Sequence, residues 1–172
     1  EEINGMFAIA IWNANEQQLI LVRDRLGVKP LYYCEEKSSL IFASEIKAIL
    51  AAQQVSRELD YQAIYNYLVL GYIPAPRSVY ASIRKLPPGC MLVASHGATQ
   101  VTRYWSPTPD EVYAGSKEQA IEELRGLMDD AVRIRMISDV PIGAFLSGGL
   151  DSSIVVAKMA AISPTPIRTF FI

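Results

Sequence analysis

The stretch AFLSGGLDSSIVV, Ala144 to Val156, places Ser147-Gly148-Gly149, Asp151 and Ser152-Ser153 between two apolar runs. An ordinary strand-to-helix turn needs one or two glycines or hydroxyls, so this density points to a loop that grips a ligand. Such a loop presents free backbone N–H groups and the positive end of a helix dipole. Gly148 and Gly149 permit positive φ and close approach of the backbone to a ligand. Ser147, Ser152 and Ser153 add hydroxyl donors. The combination suits phosphate or pyrophosphate. It is not a Walker loop, because the G-x-x-x-x-G-K-S/T pattern is missing and the nearest lysine, Lys158, lies beyond the first helical turn. Asp151 would repel a bare phosphate, but makes sense holding a metal or the helix N-terminus. The competing reading is a tight strand–helix turn with Asp151 as its cap. Within the loop, Gly148 is expected to take the turn and Gly149 to face the ligand.

Around this loop the pattern is that of a βαβ unit, with Val140 to Leu146 as a strand, Ser147 to Ser153 as the loop, Ile154 to Ala161 as a helix and Ile167 to Ile172 as the next strand. Before it, Ser116 is placed to cap a long amphipathic helix whose stripe is Ile121, Leu124, Met128, Ala131 and Arg135. Three buried elements cannot cover a parallel sheet, so the chain is expected to be an internal fragment of a longer protein. Ile167 to Ile172 would then be an open apolar edge, and a homo-oligomer is expected from it.

The first hundred residues have a different pattern of short strands. Met6 to Trp12 and Leu19 to Val22 flank the turn residues Asn13 to Glu16. Leu31 to Cys34 pairs with Leu40 to Ala43, and Met91 to Ala94 with Gln100 to Trp105 around His96-Gly97. Continuous apolar runs in place of strict alternation argue for a sheet covered on both faces. Glu45 to Ala52, with Ser44 at its start, and Asp60 to Leu70 read as helices, with Asp60 as N-cap and Gly71 as the stop. The prolines at 74, 76, 87 and 88 suggest a rigid surface connection. Arg23, Asp24, Gly27, Lys29 and Pro30 read as residues that fix a loop, Glu45 and Lys47 as surface charges, and Met6 as core.

With 51% hydrophobic and 20% charged residues over 172 positions, the composition is that of a water-soluble globular chain. A net charge of −2 gives no electrostatic footprint for nucleic acid or an anionic membrane. No apolar run is long enough for a membrane span, and no signal peptide is visible. Cys34 and Cys90 read as buried free thiols of a reducing, cytoplasmic compartment, and His96 as a solvated turn residue.

Ser147-Gly148-Gly149-Leu150-Asp151-Ser152-Ser153 resembles the pyrophosphate loop of the N-type ATP pyrophosphatases. Asp139-Val140-Pro141 and Phe145-Leu146 before it are similar to the entry used by asparagine synthetases. GMFAIAIWN, RDRLGVKPLYY, FASEIKAIL, LPPG and RYW resemble the glutaminase domain of the glutamine-hydrolysing members of that family. The resemblance implies an α+β region followed by an α/β one. Residues 1–105 would be the C-terminal half of an αββα N-terminal-nucleophile glutaminase domain, 106–115 a linker, and 116–172 the first βαβ unit of an ATP pyrophosphatase domain.

It also implies ATP and magnesium as cofactors and aspartate and glutamine as substrates. The nucleotide would meet Leu146, Ser147, Gly148, Gly149, Asp151, Ser152, Ser153 and the backbone at Ile172, with Asp151 on the metal. The family's glutaminase nucleophile is an N-terminal cysteine. Glu1 stands at the start here and neither Cys34 nor Cys90 matches it, so no catalytic residue is assigned and the chain alone is not expected to hydrolyse glutamine. The rival readings are an amidotransferase acting on another carboxylate, such as a sugar or a β-lactam precursor, and a non-catalytic fragment that self-associates.

Overall fold

The computed structural model describes residues 3–36, 39–107 and 112–171. The chain divides into two compact units, Glu1–Thr108 and Pro109–Ile172. In the first, β1 (Ala8–Asn13) and β2 (Gln18–Arg23) form a hairpin. The Asn13 carboxamide closes its turn by accepting from the backbone N–H groups of Asn15 and Glu16. β3 (Tyr32–Glu36) and β4 (Ser39–Ala43) form the second hairpin, followed by α1 (Ile46–Leu50) and α2 (Tyr61–Leu70). After β5 (Ile83–Lys85) come β6 (Cys90–Ser95) and β7 (Ala98–Arg103), joined through His96 and Gly97, both at positive φ.

The strands make two antiparallel sheets, ordered β1-β2-β6-β7 and β4-β3-β5. Leu21, Leu92 and Cys90 of the first sheet meet Leu31, Tyr33 and Leu86 between the sheets. The second sheet is covered on its far side by α1, where Cys34, Ile83, Ile49 and Val55 make a second core. Because side chains alternate along a strand, Tyr33 serves one core and Cys34 the other. Both cysteines are buried free thiols, as the sequence suggested.

Several expectations need correction. Sheet β1-β2-β6-β7 carries no cover on its outer face among the described residues. Ile9, Ile11 and Val22 line an open groove there, and Ile11 and Met6 are exposed. The apolar runs of β1 and β2 reflect two apolar faces, of which one is covered. The proline-rich segment is not only a surface connection: Ser78, Ile83 and Leu86 are buried, and β5 pairs with β3 between two proline pairs. Ser44 does not cap α1; Glu45 holds that position without a side-chain bond. Asp60 does cap α2, accepting from the Ala63 N–H, and Gly71 ends it in the left-handed conformation.

Arg23 and Asp24 tie this unit together. The Arg23 guanidinium donates to the carbonyls of Gly27, Lys29 and Leu86 at 2.7, 2.8 and 2.7 Å. The Asp24 carboxylate accepts from the N–H groups of Val28 and Lys29, both at 2.9 Å. Its backbone carbonyl accepts from Gly27 and Gly89, and its N–H donates to Phe7. Gly89 is required there: it sits at φ 62°, and a Cβ would lie 2.5 Å from the Trp105 carbonyl oxygen.

In the second unit, α3 (Lys117–Arg135) begins in a capping box, with Ser116 and Gln119 bonding each other's backbone N–H. β8 (Gly143–Phe145), α4 (Leu150–Ile162) and β9 (Arg168–Phe170) form the βαβ unit, with β8 and β9 parallel. Both strands are shorter than expected, and Pro141, which has no N–H to donate, lies outside β8. The helix starts four residues earlier than Ile154. Phe170 and Phe171 at the β9 edge are exposed.

Burial pushes the Asp24 carboxyl up, but the backbone donors of Lys29, Val28, Phe7 and Gly27 outweigh it and hold the carboxyl below the usual carboxylate range. A depressed folded value means that the carboxylate adds stability above its unfolded pKa of about 3.9, and that this is lost as pH falls through the folded value. Asp24→Asn, which leaves one backbone N–H facing an amide, is expected to cost roughly 1–3 kcal/mol at neutral pH. It should also flatten the acid limb of the stability curve, with urea melts from neutral pH to pH 3 as the check.

Candidate functional site

The site begins where β8 ends. The Leu146 N–H donates to the Phe170 carbonyl of β9 at 2.8 Å, and the Phe145 and Phe170 rings stand 6.3 Å apart, tilted by 59°. These contacts fix the departure point of the loop. Gly148 then turns the chain at φ 78°, and Gly149 returns to φ −74°, ψ 161°, as the N-cap of α4. The division expected of the two glycines holds for the backbone, since the left-handed turn falls on Gly148 alone.

The loop is therefore shorter than the sequence suggested. Leu150, Asp151, Ser152 and Ser153 form the first turn of α4 and not an extended grip. Serine and aspartate disfavour a helix interior but suit its first turn, which is why the residue pattern alone places the boundary late. Leu150, which the sequence pattern does not single out, is the first helical residue. Its N–H, with those of Asp151 and Ser152, precedes the first intrahelical bond, which runs from Ser153 N–H to Gly149 O at 3.1 Å. A count of orphan N–H groups at a capped helix start would have found it.

The serines do something different from what was expected. Ser152 and Ser153 donate their hydroxyls to the Gly149 carbonyl at 3.1 and 2.8 Å. Ser147 Oγ lies 3.1 Å from Ser152 Oγ. The three hydroxyls brace the loop against the helix, which leaves the backbone N–H row as the free donor set. Gly149 carries no side-chain cap that would occupy these donors. A Cβ on Gly148 would meet nothing within 4 Å, and one on Gly149 only the Ser147 Oγ at 3.5 Å, so the space against both glycines is open.

This arrangement fits an anion of phosphate size, because N–H groups and the helix dipole favour negative charge at one place. Lys158, the nearest lysine in sequence, is paired with Asp129 of α3 at 2.7 Å. For a metal the fit is thinner. Asp151 brings one carboxylate, and among the described residues no group of three or more His, Cys, Asp or Glu could hold an ion. Leu146 sits at the strand end beside the loop, while Ile172 lies outside the described residues. The thiols offer no nucleophile: Cys34 is wholly buried and its thiol is pushed up by burial, and Cys90 is 3% exposed.

The two loop glycines should respond differently to alanine. Gly148→Ala is expected to cost roughly 1–2 kcal/mol through its positive φ. Gly149→Ala should leave the melting temperature almost unchanged. Thermal melts of both variants, run with the unsubstituted protein, check this.

Residues 1–105 match the glutamine amidotransferase domain family, and residues 123–172 match the asparagine synthase family. A protein of Methanocaldococcus jannaschii named putative glutamine-hydrolyzing asparagine synthetase 2 is 42% identical over 163 residues, which are 92% of this chain and 32% of that protein. Glutamine-hydrolyzing asparagine synthetase 3 of Bacillus subtilis is 38% identical, covering 93% of this chain and 26% of its own length. Amidase chyE of Penicillium rubens is 33% identical, covering 92% and 24%. A solved structure described as the allosteric regulatory enzyme of purine biosynthesis overlaps 90% of this chain and 29% of its own at 18% identity and a TM-score of 0.31, a loose likeness. The chain thus spans about a third or less of the length of these curated relatives. Matched from its first residue to Trp105, it belongs to the glutamine amidotransferase domain family.

Proposed function

We propose that this chain is part of a glutamine-dependent asparagine synthetase, in which ATP activates the side-chain carboxylate of aspartate and ammonia from glutamine attacks the acyl-adenylate. One observation carries the reading: the strand–loop–helix start at Ser147 to Ser153, with its free N–H row, falls inside the segment similar to asparagine synthase. The two antiparallel sheets with α1 on one side are compatible with half of an αββα glutaminase sandwich over residues 1–105. In the same proposal residues 106–115 are a linker and 116–172 the start of the ATP pyrophosphatase domain.

In this reading the chain's own residues act on the leaving pyrophosphate. The N–H groups of Leu150, Asp151 and Ser152 point the positive end of α4 at it, and Gly148 and Gly149 admit it close to the backbone. Leu146 would border the nucleotide, and the Ile172 backbone is assigned to it by resemblance alone. Donors fixed before the reaction need no reorganisation as charge develops on the leaving group. The Ser147–Ser152–Gly149 bonds are what hold them fixed. ATP supplies the adenylyl group, and magnesium, if held by Asp151, would add positive charge there. Glutamine, aspartate and ATP are the partners the proposal names, in a cytoplasmic setting. Among the described residues no helix is long and apolar enough to cross a membrane.

A second reading, an amidotransferase acting on a different carboxylate, is favoured by the similarity to a protein named as an amidase. Both readings share the loop and differ in the acceptor.

Two measurements test the proposal. Pyrophosphate titrated into the chain should shift the backbone amide resonances of Gly148 to Ser153, more weakly in Gly149→Ala. Unmoved amides would sink the site. In the whole protein that carries these residues, Asp151→Ala should abolish aspartate-dependent exchange of pyrophosphate into ATP and spare glutamine hydrolysis. Exchange that ignores aspartate but follows another carboxylic acid would select the second reading.

A further inference from the structure

Ile3-Asn4-Gly5-Met6 holds one of the chain's four asparagines, and the only one followed by glycine. An asparagine carries an electrophile, its carboxamide carbon, within reach of the backbone nitrogen of the next residue, and attack closes a five-membered ring. Two things ordinarily prevent this: the next residue's Cβ crowds the nitrogen, and the fold holds the backbone away from the ring-closing geometry. Asn4 lacks both restraints. Gly5 has no Cβ, and where one would stand there is nothing within 4 Å. Both residues are exposed and lie ahead of β1, outside any helix or strand. Among the described residues, neither backbone enters a hydrogen bond.

The other three asparagines are restrained. The Asn13 carboxamide oxygen accepts from the N–H groups of Asn15 and Glu16 at 3.1 and 3.3 Å, which fixes it in the hairpin turn. The Glu16 nitrogen, which would have to attack Asn15, is the second of those donors. Asn66 lies inside α2, where the Tyr67 nitrogen belongs to the helix ladder, and its side-chain oxygen accepts from Gln62 at 3.1 Å.

We propose that Asn4 is a modification site at which the chain deamidates in water without an enzyme. The Gly5 nitrogen forms a bond to Cγ of Asn4, the bond from Cγ to the amide nitrogen breaks, and the Gly5 amide proton leaves with that nitrogen as ammonia. Water then opens the resulting succinimide on either side. Opening at Cγ gives aspartate, and opening at the main-chain carbonyl gives isoaspartate, whose backbone is longer by one methylene. Either product adds one negative charge to a chain whose net charge is −2. The new carboxylate follows Ile3, which lines the outer-face groove where Arg25 is the only charged lining residue. It also precedes Phe7, whose carbonyl accepts from the Asp24 N–H.

Ageing the protein in mildly alkaline buffer and digesting it with trypsin tests the site. Cleavage after Arg23 releases residues 1–23 as one peptide, which holds Asn4, Asn13 and Asn15 together. Fragment masses are expected to put the amide-to-acid change on Asn4, with isoaspartate beside aspartate. The rate there should exceed that at Asn13 and Asn15, whose followers carry a Cβ, by on the order of tenfold or more. It should rise with pH, because the attacking nitrogen gives up its proton. Asn4→Gln keeps the carboxamide but needs a larger ring, so that peptide should stay unchanged, with the melting temperature unmoved. An Asn4 that does not convert overturns the proposal. So does conversion at Asn13 or Asn15 that keeps pace with Asn4, or aspartate formed at Asn4 with no isoaspartate.

Discussion

Arg23 and Asp24 sit where β2 leaves its sheet, and three separate pieces of backbone end on them. The guanidinium gathers three carbonyls, the carboxylate gathers two N–H groups, and Tyr104 donates its hydroxyl to the Arg23 carbonyl at 2.6 Å. None of these partners is a side-chain charge of opposite sign. Each ion is satisfied by peptide dipoles, which cannot be titrated away and are fixed by the fold itself. The loop from Gly27 to Pro30, the Leu86–Gly89 segment and the strand end at Phe7 have little other reason to converge. Lys85 follows from the same node: burial, and then the nearby Arg23 charge, lower its pKa, and its ammonium is held by the Ile73 carbonyl. The two sheets keep their spacing because this corner is closed.

The second unit solves a different problem with fewer parts. A leaving group with several negative charges can be met by lysines or by peptide N–H groups. The helix start here offers the latter, and the lysine nearest to it in sequence is engaged with Asp129. Peptide donors keep their direction, whereas a lysine is a mobile point charge. The hydroxyls of Ser152 and Ser153 close back onto Gly149, so side chains stiffen the donor row and leave the backbone N–H groups open to a ligand.

Much of this could be read from residue order, and the failures have physical causes. Asp60, Gly71, Ser116 and the three hairpin turns declare themselves because caps and turns are local chemistry. The structural role of Arg23 and Asp24 was also readable, since a paired acid and base before Gly-x-Lys-Pro rarely sits free. β5 was missed because three residues between proline pairs carry no periodic signal, and its pairing with β3 is a tertiary fact. The start of α4 was placed late because Asp151, Ser152 and Ser153 look like loop residues wherever they are not recognised as a first turn. The outer face of β1 and β2 was misjudged because apolarity of a face and coverage of a face are separate properties, and sequence reports only the first. For the candidate site, the residue types were evident while the division of labour between hydroxyl and amide was not.

Among the described residues, wholly or nearly wholly buried side chains concentrate in the first unit, whereas α3 has none and α4 has Met159 alone. Local opening free energy follows such burial. The amides of Leu21 and Leu92 should therefore exchange with solvent only through global unfolding, and those of α3 through brief fraying of a helix held by its cap, a few apolar contacts and the Lys158–Asp129 link. The helix start proposed to meet pyrophosphate belongs to this softer part of the chain. Any ligand that binds it only when folded pulls the local equilibrium toward order by mass action. In this chain, occupancy of the loop and the integrity of the helices behind it are thus one thermodynamic quantity.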